Sequence, residues 1–181
     1  NEAEKPWHGL GQPVSNDLTS KEMMVASGTD WSVHEVESFV EFEGEKISTG
    51  QKSLIRSTDH KVLTNVGPDW KPVQNEQAFE FFSDYVNEGK MTMETAGSLK
   101  GGRTVWALAK VQDSFELFDG DKVDSYLLFS NPHQYGKSVD VRFTPIRVVC
   151  QNTLSLSLGQ DAKHRVNYGH RTEFDPEQVK I

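Results

Sequence analysis

Cysteine is almost absent: the chain of 181 residues carries one, Cys150. A lone thiol excludes an intramolecular disulfide and the cysteine-rich zinc sites, and makes a reducing, cytoplasmic compartment the default expectation. Long apolar runs are missing too. None approaches the roughly 18 residues that a spanning helix needs, so no membrane partner is expected. The stretch Asn1 to Pro13 has no apolar signal region and no initiator Met, which fits a processed or trimmed chain. There is no internal repeat, low-complexity tract or linker, so this length predicts a single domain with a real core. Positive charge is scarce as well: 19 Lys and Arg against 27 Asp and Glu leave a net charge of −8. Such a chain does not coat duplex DNA by bulk charge, although a local basic groove remains compatible with it. Aromatics, by contrast, are plentiful. Ten Phe, four Trp and four Tyr exclude a disordered chain.

The order of segments predicts an α+β fold: an antiparallel sheet with a β-hairpin, covered on one face by helices. Residues 1–20 are polar and rich in Gly and Pro, and read as an arm strapped over a domain at 21–171, with 172–181 as a tail. Trp31 to Phe42 favours extended structure, Gly44 supplies a turn, Lys46 to Ser57 returns, and Val62 to Val66 is a short strand ended by Gly67-Pro68. A helix follows, with Asn75 as its cap, Glu76 in its first turn and Ala78, Phe79, Phe82, Tyr85 and Val86 at helical spacing. Gly89 is its expected left-handed stop. Thr92 to Leu99 and Thr104 to Val111 form a hairpin whose tip, Lys100-Gly101-Gly102-Arg103, has the glycines that positive φ angles need. Asp121 to Ser130 and Ser138 to Phe143 pair next, with Val139, Val141 and Phe143 on one face and Asp140 and Arg142 on the other. Thr144-Pro145 opens a second helix that puts Ile146, Val149, Cys150, Thr153, Leu154 and Leu158 on one face and ends at Gly159.

Catalytic and metal-binding patterns are few. The six His residues form no His-x-x-x-His pair, and His164 and His170 lie in a polar tail, so no metal site and no cofactor is expected. Cys150 lies on the apolar face of its helix, where an inert buried thiol competes with a reactive one beside His8 or His133 and Asn152. Ser155 and Ser157 lie in no nucleophile elbow, and Gly97 to Gly102 lacks the Gly-Lys-Ser/Thr ending of a phosphate loop. Asp119 and Asp121 around Gly120 read as turn residues.

Charge is more informative. Asp30, Glu35, Glu37, Glu41, Glu43 and Glu45 have only His34 among them, whereas Lys137, Arg142, Arg147, Lys163, Arg165 and Arg171 meet only Asp140 and Asp161. Lys100 and Arg103 add cations at a hairpin tip. A cationic track with aromatic or apolar platforms binds single strands; the alternative is a solvated face paired with the acidic strand.

Several stretches together resemble a family of phage and plasmid-like proteins, DUF932. They are Pro6-Trp7-His8-Gly9-Leu10-Gly11, Val73-Gln74-Asn75, Thr95-Ala96-Gly97-Ser98-Leu99, Gly102-Arg103-Thr104-Val105-Trp106-Ala107 and, most specifically, Thr144-Pro145-Ile146-Arg147-Val148-Val149-Cys150-Gln151-Asn152-Thr153-Leu154. The chain departs from the family's Asn-Ser-His-Asp-Gly at Asn131-Pro132-His133-Gln134-Tyr135-Gly136, which removes the acid from this loop. Family members often continue further, so the resemblance implies a region beyond residue 181.

The element order also resembles the core of phage single-strand annealing proteins such as the Redβ and Erf groups. That likeness implies a homo-oligomeric ring or filament that holds single-stranded DNA in a groove without cofactor or catalysis, in the cytoplasm of a bacterial host. The groove candidates are Lys100, Arg103, Arg142, Arg147, Lys163 and Arg165. The alternative expectation is an enzyme or a host-directed inhibitor using Cys150 with His8 or His133.

Overall fold

The computed structural model describes residues 11–111, 115–116, 122–123, 125–134, 138–145, 158 and 165–168. Their elements run β1 (Gly11–Pro13), α1 (Ser20–Ser27), β2 (Val33–Phe42), β3 (Glu45–Arg56), β4 (Val62–Val66), α2 (Asn75–Glu88), β5 (Thr92–Leu99) and β6 (Thr104–Lys110). They continue with β7 (Phe115–Glu116), β8 (Lys122–Val123), β9 (Tyr126–Pro132), β10 (Val139–Thr144) and β11 (Arg165–Tyr168). Among the described residues the result is a mixed α+β arrangement of antiparallel sheets with the two helices α1 and α2. The larger sheet has the order β1-β5-β6-β9-β10-β11 and the second the order β2-β3-β4, while β7 and β8 pair with each other.

Alternation along the central strands sorts their side chains. Val105, Ala107 and Ala109 of β6 share a core with Leu127 and Phe129 of β9, Val139 and Val141 of β10, and Phe79 and Phe82 of α2. Trp106 and Leu108 fall on the opposite face with Tyr126 and Leu128, and are fully buried there as well. On α2, Phe81 and Phe82 pack on Phe129, with ring centroids 5.7 and 5.6 Å apart. The expected facing of β10 holds. A Cβ on Gly11 would lie 2.6 Å from the Trp106 ring, so β1 can cross beside that indole only with glycine at this position.

The helix expected from residue 75 forms, but its ends differ from expectation. Gln74 caps it, its backbone N–H bonding the Gln77 side chain at 3.1 Å, while Asn75 is the first helical residue and is buried. The Asn75 amide turns inward, where it donates to the carbonyls of Thr29 and Trp31 in the segment between α1 and β2. Gly89 has φ −84°, and the left-handed residue at this end is Lys90, with φ 55°. Helix α1 went unread inside the domain's first residues, although Thr19 and Glu22 form a reciprocal cap, at 3.1 and 3.0 Å. The second expected helix, 144–158, falls almost wholly outside the described residues. So do His8, Cys150, His164, His170 and most of the N-terminal motif.

Among the described residues, no helix is long and apolar enough to cross a membrane.

Candidate nucleic-acid interface

The β5–β6 turn is the centre of the candidate site. Lys100, Gly101 and Gly102 all have positive φ, at 53°, 68° and 101°. A Cβ on Gly101 would also collide with the Lys61 ammonium, and one on Gly102 would lie 3.0 Å from both Arg56 and the Trp31 ring. The glycines therefore serve two purposes, turn geometry and close approach by the β3–β4 turn.

Hydrogen bonds stitch the two turns together. Arg56 donates from Nη1 to the Gly101 carbonyl at 2.8 Å, and Arg103 donates from Nε to the Leu63 carbonyl at 2.7 Å. The Arg56 guanidinium lies 5.5 Å from the Trp31 ring centroid. Arg56 also grips Asp59 through two bonds, Nε to Oδ1 at 2.9 Å and Nη2 to Oδ2 at 2.6 Å. Those bonds hold the Asp59 carboxyl well below the usual carboxylate range and raise the Arg56 guanidinium in turn. No carboxylate among the described residues pairs with Lys61, Lys100 or Arg103. Four cations thus meet where the two turns approach, and among the described residues Arg56 alone of them is compensated.

A buried polar relay fixes Trp31 beneath them. Asn75 donates from Nδ2 to the carbonyls of Thr29 and Trp31 at 3.0 and 3.3 Å. Its Oδ1 must then accept, so His133, 2.8 Å away, carries its proton on Nε2. The His133 backbone N–H bonds the Arg103 carbonyl at 2.5 Å, and its ring lies 5.6 Å from that of Trp31. His133 is fully buried. On the outer side of Trp31 lies a cleft of about 490 Å³, lined by Met24, Val25, Trp31 and Gln74, with Lys21 and Glu76 among its polar residues.

The structure brings together two of the six groove candidates, Lys100 and Arg103. Arg142 is not a surface cation: it is 1% exposed and bonds both Asp140 oxygens, at 2.6 and 2.9 Å, and the Leu158 carbonyl. Residues two apart on a strand share a face, and here that face is interior, so the guanidinium needs its carboxylate. Arg165 lies on β11 opposite Arg142 in the register. Arg147 and Lys163 lie outside the described residues. Sequence reading missed Arg56 and Lys61. They flank a short turn, which was legible, but nothing local shows that this turn meets the β5–β6 tip. Among the described residues no group of His, Cys, Asp and Glu could hold a metal ion.

Comparison with known families matches residues 62–181 to the domain of unknown function DUF932. No curated protein and no solved structure matches the chain.

Proposed function

The chain belongs to the DUF932 family, whose description assigns no activity, and from its own cations together with its resemblance to phage and plasmid-like and single-strand annealing proteins we propose a single-stranded DNA-binding protein that promotes strand annealing as an assembly of copies, in a phage or plasmid setting. The observation that carries this reading is the convergence of Arg56, Lys61, Lys100 and Arg103 where two turns meet. At physiological salt the Debye length is about 8 Å, so the overall charge of −8 is screened and these cations decide what a phosphate backbone meets. The cleft beside Trp31 offers apolar surface next to them for an unstacked base. Arg147, Lys163 and Arg165 extend the proposed track as sequence-based candidates. Arg142 does not, because it is buried.

Binding of a labelled single-stranded oligonucleotide across a salt series tests the reading. With three uncompensated cations engaged, the log–log slope should be about −2, at about −0.7 per phosphate contact. Arg103→Glu and Lys61→Glu should each weaken binding to all sequences alike and flatten that slope, because phosphate contacts carry no sequence code. Lys46→Glu, at the far end of the β2–β3 hairpin, should change little. Absence of binding at low salt would overturn the reading.

A further inference from the structure

Beyond the cationic turns, the largest unexplained feature is the β2–β3 hairpin. No residue from His34 to Ser53 is buried, and β4 pairs with β3 only from Lys52 to Ile55, so the rest of the ribbon stands clear of the other described elements. Its register separates two unlike faces. Val33, Glu35, Glu37, Phe39 and Glu41 alternate onto one face of β2, whose buried Val33 joins the core. That face is charged: Lys52 pairs with Glu35, and Lys46 lies 4.0 Å from the Phe39 ring centroid.

The other face carries most of the ribbon's exposed apolar residues, with His34, Ser38, Glu45 and Ser53 between them and a register shift between Glu37 and Phe39 along it. Val36, Val40 and Phe42 lie on it, Ile47 joins them opposite Val40, and Val62 follows through its pairing with Ile55. These five residues are 48, 52, 63, 41 and 52% exposed, in that order, and the described residues have only Val25 and Phe39 as further exposed large hydrophobics. An apolar stripe of this kind on a projecting sheet marks a contact surface.

We infer that this face is where two copies of the chain associate, packed face to face and antiparallel. The occupant follows from the charges at its two ends. Glu41, Glu43 and Glu45 outnumber Lys46 at the hairpin tip, while Lys61, Lys100 and Arg103 lie at the base beside the paired Arg56 and Asp59. An anionic membrane or a polyanion laid along the stripe is repelled at the tip, and a parallel copy sets acid on acid. A copy related by a two-fold axis lays its apolar stripe on the same stripe and brings each acidic tip beside the partner's basic base. The tip acids need only come within a Debye length of those cations, about 8 Å, to set the orientation without occupying them. This surface is the proposed assembly contact of the nucleic-acid reading, but it rests on the ribbon alone.

Sedimentation velocity on the full chain, over a concentration series, tests it. The wild type should form dimers. Val40→Lys with Ile47→Lys should weaken association at least tenfold, with an unchanged melting temperature because both positions are exposed. Phe39→Lys, as exposed and on the same strand but on the opposite face, should leave the dimer intact. Glu43→Lys and Lys61→Glu should each weaken it, and their combination should restore it. A wild type that stays monomeric at the highest concentration overturns the inference. So does a Val40→Lys, Ile47→Lys variant that associates like the wild type, or a Phe39→Lys variant that dissociates equally. Binding of the monomer to anionic lipid vesicles would also overturn it. Oligonucleotide binding by the dissociated variant is measured separately, so failure of the assembly surface and failure of the nucleic-acid reading are told apart.

Discussion

Strands β6 and β9 lie side by side with every residue from Thr104 to Ala109 and from Tyr126 to Pro132 buried, whereas the β2–β3 ribbon buries nothing between His34 and Ser53. Both are antiparallel pairs with continuous registers over several residues. They differ in what covers them. The central pair is buried on both faces and can therefore carry Val, Leu, Ala and Trp on successive positions. The ribbon alternates charge with apolar residues, and its apolar half meets nothing within the described chain. Backbone pairing sets the shape in both, but burial sets the stability, and a two-stranded ribbon in water is marginal by itself. The contrast places rigidity at the centre of the larger sheet and leaves the ribbon uncovered by any other described element.

The widest separation between the two regions should appear in amide exchange. Amides of β6 and β9 should open only with global unfolding, while those of the ribbon beyond Ser38 exchange through local opening, a gap on the order of 5 kcal/mol or more. Equal protection in a dilute, monomeric sample would break the comparison. Next comes truncation: Phe82→Ala should cost about 3–5 kcal/mol in a denaturant titration, because the ring is fully buried against Phe129. Phe42→Ala in the ribbon should stay within about 0.5 kcal/mol under the same conditions. Gly11→Ala should cost about 1–3 kcal/mol by driving a methyl group into Trp106, and an unchanged melting temperature would show that β1 does not seat against that indole. The smallest effect concerns Asp59. Its carboxyl is held below its ordinary value, so its pair with Arg56 exists above the unfolded pKa of about 3.9 and is lost only as pH falls through the lower folded value. Oligonucleotide affinity should therefore show no Asp59 titration between about pH 5 and 8. Asp59→Asn should raise affinity about two- to threefold by releasing a surface ion pair, measured by the same salt series.

Local signals were legible where one residue type decides one geometry. The Gly101-Gly102 tip, the Gly44 turn and the apolar spacing from Ala78 to Val86 each announced an element that forms. The Thr19–Glu22 cap is an equally local signal and marks the start of α1, which the sequence therefore also encodes locally. Asn75 is a different case. Its residue type favours a cap, but the carbonyls of Thr29 and Trp31 and the His133 ring compete for its amide, and they come from segments distant in sequence.

The same division runs through the candidate site. Lys100 and Arg103 could be placed at a surface tip because a tight turn exposes its residues whatever surrounds it. Arg142 could be assigned to the opposite side of its strand from Val141, since alternation is a property of the strand alone. That this opposite side is interior, and holds Arg142 against Asp140, depends on what packs over the sheet. The sequence alone determined which residues turn, alternate and repeat, because those properties are settled within a few bonds along the chain. Tertiary structure alone decided that Arg56 and Lys61 join the hairpin tip, that His133 is buried beneath Trp31, and that no described element covers one face of the β2–β3 ribbon. Each of those outcomes depends on the approach of segments separated by tens of residues, and no local spacing records which segments meet.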